Sequence, residues 1–422
     1  MMRNLNHLPT AHIDLDCIAH NYALLSKLSA TASIGDEAYR QALLPCHAGG
    51  AGPRPFTWPS QLAVIKADAY GHGLLEVSTT LFHAGARLFA AGSVQEACLL
   101  SQHLASLADS GQTNGQKPTV ISLLGFISAD DIALCQEHDI IPLLHSFEQL
   151  DLLSALESPL AVAIKCNSGM SRLGFNETDI EELKHRLQAN PRVTPVLAMS
   201  HLHSAGQEDG WLKNQAQAFC FKRMLEALRQ SWPQLAASLA NTAGICHANK
   251  LHKIIGPQIC RIGLGLYGLS PLDANVENTC YADLRPAMSV STPILALRSV
   301  KANEGISYGH TFITEQPMTI ALAGIGYADG LPLAMSNRGF MNVTGIRAGI
   351  LGQVCMQITA LNISALSINN GKQPDKVWVL GGPYPDAITA EEIAEICGTH
   401  VYDILCMMGC NQRVYGSGSR YS

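Results

Sequence analysis

No run of about 18 apolar residues occurs anywhere in the 422-residue chain, so no membrane-spanning helix is expected. Charge is scarce. Only 15% of residues are Asp, Glu, Lys or Arg, with 28 basic against 34 acidic and a formal net charge of −6. With no long basic run, neither nucleic acid nor an anionic membrane surface is an expected partner; a small anionic ligand has to be captured by a local cluster of cations. The start, MMRNLNHLPTAHIDLD, holds one arginine and is broken by Asn, His and Pro before an apolar core of signal-peptide length, so a cytoplasmic location is expected. The thirteen cysteines are odd in number and scattered through a long chain, which reads as reduced thiols rather than a disulfide framework. The phosphate-loop order G-x-x-x-x-G-K-[ST] is absent, as are internal repeats and low-complexity tracts.

What is present is ample apolar material: 47% of residues are hydrophobic, enough for two cores. Eight short apolar runs start near residues 63, 88, 119, 140, 160, 195, 235 and 261, and amphipathic stretches such as 94–107 and 218–230 lie between them. Repeated βα units imply parallel strands, and eight of them fit an α/β fold of the (β/α)8 TIM-like barrel type, with a doubly wound sheet as the alternative. After about residue 283 the pattern becomes β-branched alternation with turn residues, as in MTIALAGIGYADG (318–330), which reads as a mainly antiparallel β domain. The expected division is therefore a barrel domain over 1–282 and a β domain over 283–422, with the Gly/Pro-rich stretch 46–61 as a surface insertion.

In such a barrel the chemistry gathers past the C-terminal ends of the strands. Polar residues fall there in this chain. Lys66 and Tyr70 follow the first run; Lys165, Asn167 and Arg172 follow the fifth; His201 and His203 end the sixth; Asn241 and Thr242 end the seventh; Arg261, Gly263 and Gly265 surround the eighth. Each alone reads equally well as a capping or solvated group. Lys66, in AVIKADAYGHG (63–73), is either a satisfied lysine at a strand end or a lysine that forms a Schiff base with a carbonyl, for which pyridoxal phosphate is the commonest partner. His201 and His203, two apart with no third ligand, read as strand residues, so no metal is expected.

Several segments, in order, resemble the alanine racemase family: HIDLDCIAHNYALL (12–25), AVIKADAYGHG, NSGMSRLGF (167–175), SHLHSAG (200–206), RIGLGLYGLSP (261–271), ISYGHTF (306–312), GIGYADGLP (324–332) and VCMQ (354–357). The resemblance implies a pyridoxal 5'-phosphate enzyme that interconverts L- and D-alanine for cell-wall peptidoglycan, working as a homodimer whose active sites join one subunit's barrel to the other's β domain. Racemisation needs an electron sink and a base on each face of the α-carbon. By the resemblance Lys66 and the partner-supplied Tyr308 are those bases. A phenol of ordinary pKa near 10 is a poor base, so cationic surroundings are needed, with His201 and Arg172 as candidates.

The same resemblance assigns Tyr70, Thr242, Gly263 and Leu264 to the cofactor phosphate, adds His201 and Asn241 to the cofactor site, and places Arg172 and Met356 at the substrate. It sets Arg261 against the pyridine nitrogen, where an arginine, unable to accept a proton, keeps that nitrogen unprotonated and suppresses side reactions. Lys165 stands where the family has a lysine open to carbamylation. Departures bear on substrate choice: Gln357 replaces a carboxylate, Asn167 an aspartate, and Cys410 a tyrosine that crowds the site. These point to a racemase of broader range or serine preference as an alternative. A decarboxylase of the same architecture is less favoured, because Cys355 is followed by Met356 and Gln357 rather than by an aspartate. A small cofactor-managing barrel protein would lack the C-terminal portion.

Overall fold

The structure is a computed structural model that describes residues 9–30, 41–44, 54–109, 117–273, 275–276, 279–366 and 373–416. Two compact units emerge. One comprises Cys17–Ala67 and Leu74–Arg285; the other comprises Met1–Asp16, Asp68–Gly73 and Pro286–Ser422. Strand β1 (Thr10–Asp14) belongs to the second unit.

In the first unit a two-stranded antiparallel pair, β2 (Gln41–Leu44) and β3 (Arg54–Thr57), precedes the main sheet. β3 takes up part of the stretch expected as an insertion; residues 46–53 of that stretch lie outside the described residues. The main sheet holds β4 (Gln61–Val64), β5 (Leu88–Ala91), β6 (Thr119–Ser122), β7 (Ile140–Leu144), β8 (Leu160–Lys165), β9 (Val193–Met199), β10 (Ala236–Ser238) and β11 (Cys260–Ile262). Neighbouring strands run parallel, in the spatial order β10-β9-β8-β7-β6-β5-β4-β11. The last step closes the circle: Ile259 N donates to Ala237 O at 2.8 Å and Arg261 N to Ala240 O at 2.9 Å, joining β11 to the end of β10. That closure excludes the doubly wound alternative.

Helices return the chain between strands, among them Val94–Leu107, Ala129–Glu137 and Phe147–Leu152. Their starts are written locally. Ser93, Ser128 and Ser146 each accept a hydrogen bond from the backbone N–H three residues on, satisfying a donor that the first helical turn leaves open. β5, β6, β7 and β8 are buried along their whole length, because their inward side chains fill the barrel and their outward ones lie under helices. Each large aliphatic residue buried there contributes about 1.5–3 kcal/mol.

The second unit is built on β12 (Met288–Val300), with β13 (Gly305–Ile306), β14 (Phe312–Ile313), β15 (Met318–Ala323), β16 (Phe340–Val343), β17 (Ile346–Leu351), β18 (Thr359–Asn362), β19 (Lys376–Leu380) and β20 (Gln412–Gly416). β12 is long enough to serve two neighbours on one edge. Its first half pairs with β1 and its second with β15, so the pairings run β15-β18-β17-β16-β19-β12 and back to β15. All are antiparallel except β1–β20. Residues 9–16, attached to the barrel domain in the sequence reading, cluster with this unit because β1 hydrogen-bonds to β12 and β20.

Candidate functional site

β4 ends at Val64, earlier than the apolar run suggests, and Lys66 opens a turn rather than closing a strand. Ala67, Asp68, Ala69 and Tyr70 all have φ near +54, four consecutive non-glycine residues in the left-handed region. Such a conformation costs roughly 1–2 kcal/mol per residue and persists only where its surroundings impose it. Within the second unit Arg413 of β20 donates to the Asp68 carboxylate and to Gly71 O, while Gly73 N donates to Asp68 O. Gly71 is glycine for a spatial reason too: a Cβ there would sit 2.7 Å from Leu405 O. Lys66 is exposed, not the buried ammonium that its apolar flank suggests, since it stands past the strand end.

The other rim residues of the barrel unit form a group of cations around one histidine. Arg261, on β11 and only 4% exposed, is anchored by neutral acceptors: Nη1 donates to Ser238 Oγ at 2.7 Å, and Nη2 to Ser200 O at 2.6 Å and Leu239 O at 3.0 Å. Nη2 also lies 3.1 Å from His201 Nδ1, which therefore accepts. Burial pulls the Arg261 guanidinium down to about 10, so it stays charged near neutrality. No carboxylate partners it among the described residues.

His201 is held well below the ordinary imidazole range, first by burial and then by the positive charges of Arg261, Lys165, Arg172 and Lys66. Burial and these four side chains all act in the same direction. His201 is thus a neutral ring, and of the two residues proposed to supply positive charge only Arg172, which is exposed, remains. β9 stops at Met199, so His201 and His203 lie in the loop beyond it rather than on a strand; His203 is exposed and its Nδ1 pairs with Ser204 Oγ at 2.6 Å. Among the described residues no group of three or more His, Cys, Asp or Glu is placed to hold a metal.

Lys165 closes β8 and is 8% exposed. Burial, reinforced by Arg261 and Arg172, lowers its pKa from about 10.5 to about 7, leaving a substantial neutral amine fraction near neutrality. Since the unfolded chain protonates this lysine first, its cost to folding is full below about pH 7 and is relieved as pH rises toward 10.5. The thermal midpoint of the cofactor-free protein minus that of Lys165→Met is accordingly expected to rise between pH 7 and 10. Parallel curves in thermal scans would contradict the assignment.

Behind the cations, Thr242 Oγ1 accepts from Gly263 N at 2.9 Å and keeps its own hydroxyl proton to donate. Thr242 O accepts from Tyr281 Oη, which fixes the segment from below. Gly265 lets the chain pass tightly, for a Cβ there would lie 2.8 Å from Leu25 Cδ1 and 2.9 Å from Thr242 Cγ2. After Gly263 the chain makes a single 3-10 turn, Leu264–Tyr267, so the backbone N–H groups matter more than a helix dipole. Asn241 Oδ1 accepts from Gly244 N at 2.9 Å and its Nδ2 donates to Leu202 O at 3.3 Å, tying the β10 loop to the His201 loop.

The remaining sequence-derived residues lie in the second unit. Tyr70 is buried, and burial pushes its phenol up, so it stays a hydrogen-bond donor. Tyr308 is 71% exposed on a rigid turn in which Ser307, Gly309 and His310 all have positive φ. Ser307 Oγ donates to Gln353 O at 2.6 Å, and the His310 ring packs where a Cβ on Gly305 would be 2.2 Å away. Met356 is 58% exposed, Gln357 Nε2 donates to Asp329 Oδ1 at 3.3 Å, and Cys410, exposed, donates to Cys406 O at 3.3 Å. Sequence reasoning missed Ser200, Ser238 and the Asp68–Arg413 pair. The first two act through a backbone carbonyl and a hydroxyl, for which no motif exists.

A closed parallel barrel with an anion-seeking rim, followed by an antiparallel β unit, defines a two-domain barrel enzyme architecture. The alanine racemase N-terminal domain model matches residues 58–271 and the alanine racemase C-terminal domain model residues 287–415. An alanine racemase of Nitratidesulfovibrio vulgaris (Miyazaki F) is 38% identical over 360 residues, covering 85% of this chain and 92% of that protein. Among solved structures, the biosynthetic alanine racemase of Pseudomonas aeruginosa aligns with a TM-score of 0.73 at 28% identity, over 97% of this chain and 99% of that one. The alanine racemase of Bartonella henselae, solved with covalently bound pyridoxal phosphate, gives 0.75 at 25% identity with the same coverage. The chain belongs to the alanine racemase family.

Proposed function

We propose that this protein is a pyridoxal 5'-phosphate-dependent alanine racemase, an isomerase that interconverts L- and D-alanine. One observation carries the reading: Arg261, Lys165, Arg172 and Lys66 all bear on His201, in a protein whose net charge is −6. Such a site suits a ligand with a phosphate and a second anionic group. Thr242, with its hydroxyl proton still to donate, and the tightly passing backbone at Gly263 and Leu264 fit the phosphate. The family likeness assigns the protonated phenol of Tyr70 to it as well.

When bound, the cofactor supplies the electron sink that makes the α-proton of an amino acid removable. Lys66 holds the cofactor covalently and serves as the base on one face. Arg261, fixed by Ser238, Ser200 and Leu239, presents a cation that cannot take up a proton from the ring nitrogen, and neutral His201 and Asn241 line the cofactor. Arg172 binds the substrate carboxylate and lowers the cost of a Tyr308 phenolate, with Met356 completing the substrate side. Tyr308, exposed on its rigid turn, is the base on the other face and is supplied by the partner of a homodimer. The neutral fraction of Lys165 is the form that would react with carbon dioxide, its nitrogen bonding to the carbon while one N–H proton is released to water, which would give Arg172 an anionic neighbour. The functional division is a cofactor barrel and a β domain carrying Tyr308, and the cellular role is D-alanine supply for peptidoglycan in the cytoplasm.

Chiral chromatography of purified protein incubated with cofactor and, separately, L-alanine, L-serine, L-lysine and L-glutamate tests this. D-alanine is expected at the highest efficiency. Preference for serine would establish the broader-range alternative, and carbon dioxide release without any antipode would overturn the racemase reading.

A further inference from the structure

The loop that carries Arg172 is a closed structure built on β8. At its base Phe175 N donates to Lys165 O at 2.9 Å and Asn167 N to Phe175 O at 2.8 Å. Gly174, at φ +111, lies so close on Lys165 that a Cβ would fall 2.7 Å from Lys165 O and 2.8 Å from its Cγ. Inside the loop Gly169 at φ +132 and Ser171 at φ +54 hold conformations that L side chains rarely adopt. One side chain satisfies that backbone: Asn167 Oδ1 accepts from Ser171 N at 2.9 Å and from Gly169 N at 3.3 Å. Arg172, the next residue, makes no hydrogen bond or ion pair with any described residue, so its guanidinium is aimed by the backbone alone.

The other end of the Asn167 amide is used as well. Nδ2 donates to Asn176 Oδ1 at 2.9 Å, and Asn176 is itself oriented because its Nδ2 donates to Asp179 Oδ2 at 3.0 Å and its N to the same oxygen at 2.7 Å. The chain of donors therefore has a direction, from Asn167 through Asn176 to Asp179. An aspartate at 167 would still accept from Ser171 and Gly169, but it would face the Asn176 carbonyl oxygen with no proton to give. Turning Asn176 over would set that oxygen against the Asp179 carboxylate.

We propose that Asn167 is a positioning residue for substrate binding: it locks the 168–174 loop and thereby fixes where Arg172 meets the amino-acid carboxylate. The inference rests on the reading of Arg172 as the carboxylate partner. In the holoenzyme, Asn167→Ala is expected to raise KM for L-alanine about tenfold, the loss of one well-made hydrogen-bond set, with kcat lowered as well because the same guanidinium eases the Tyr308 phenolate, and with the visible absorbance of the bound cofactor unchanged. The isosteric Asn167→Asp is expected to raise KM severalfold with the same spectrum, and it serves if the alanine variant folds poorly. In an Arg172→Ala background, Asn167→Ala is expected to add no further rise in KM, a coupling that a purely structural role would not produce. Unchanged KM in both Asn167 variants, or a full additional rise in the Arg172→Ala background, would overturn the proposal. If instead Arg172→Ala leaves KM for alanine unaltered, it is the carboxylate role of Arg172 that fails, and the positioning proposal falls with it.

Discussion

Replacing Lys66 with alanine is expected to abolish the visible absorbance of the lysine-bound cofactor and to lower turnover by about 10³-fold or more. The size follows from two losses at once: the covalent hold on the cofactor and one of the two bases, each base alone contributing typically about 10²–10⁴. The fold should survive. Lys66 is exposed and stands beyond the end of β4, so its side chain contributes little to the core, and the left-handed turn after it is fastened through Asp68, Gly71 and Gly73. Absorbance spectra with added pyridoxal phosphate, read beside circular dichroism, separate the chemical loss from unfolding. Retention of both the absorbance and turnover would end the assignment.

Tyr308→Phe is the second large effect. Removing one hydroxyl from a 71%-exposed side chain leaves the turn intact, because Ser307, Gly352 and His310 hold it without that oxygen. Cofactor absorbance should remain while racemisation falls by about 10²–10⁴. Because L- and D-alanine are equal in free energy, kcat/KM must fall equally in both directions, so chiral rates alone do not tell the two bases apart. Solvent-deuterium exchange does. With Lys66 still present, the α-proton of D-alanine should continue to wash out while that of L-alanine slows with racemisation. Equal rates to the parent in both directions would remove Tyr308 from the chemistry.

The lowered pKa of His201 bears on the base proposed for the other face: a neutral imidazole is not the source of positive charge that a Tyr308 phenolate would need. The burden shifts to Arg172, whose aim depends on the Asn167 loop. Lys165, titrating near 7, changes its charge close to physiological pH.

Much of the barrel was legible in the sequence because its signals are local. The apolar runs at 88, 119, 140 and 160 became wholly buried strands, and serines at 93, 128 and 146 open the helices that follow, through hydrogen bonds spanning three residues. The family segments also carried the proposed site residues, since each names a residue type next to its own backbone. Contacts made between distant parts of the chain were not legible. Strand β1 joins β12 across more than 270 residues, and nothing in a five-residue strand declares its partner. The left-handed turn at 67–70 contains no glycine, and its restraint by Arg413 comes from the far end of the chain. Arg261 was singled out by sequence, but its carbonyl and serine partners, and with them the absence of a salt bridge, are products of barrel closure. The sequence by itself determined which elements form and which residue types reach the rim, because hydrophobic period and capping act over a few residues. Only the tertiary structure decided their charge states and their aim, because both depend on burial and on neighbours that folding brings from remote positions.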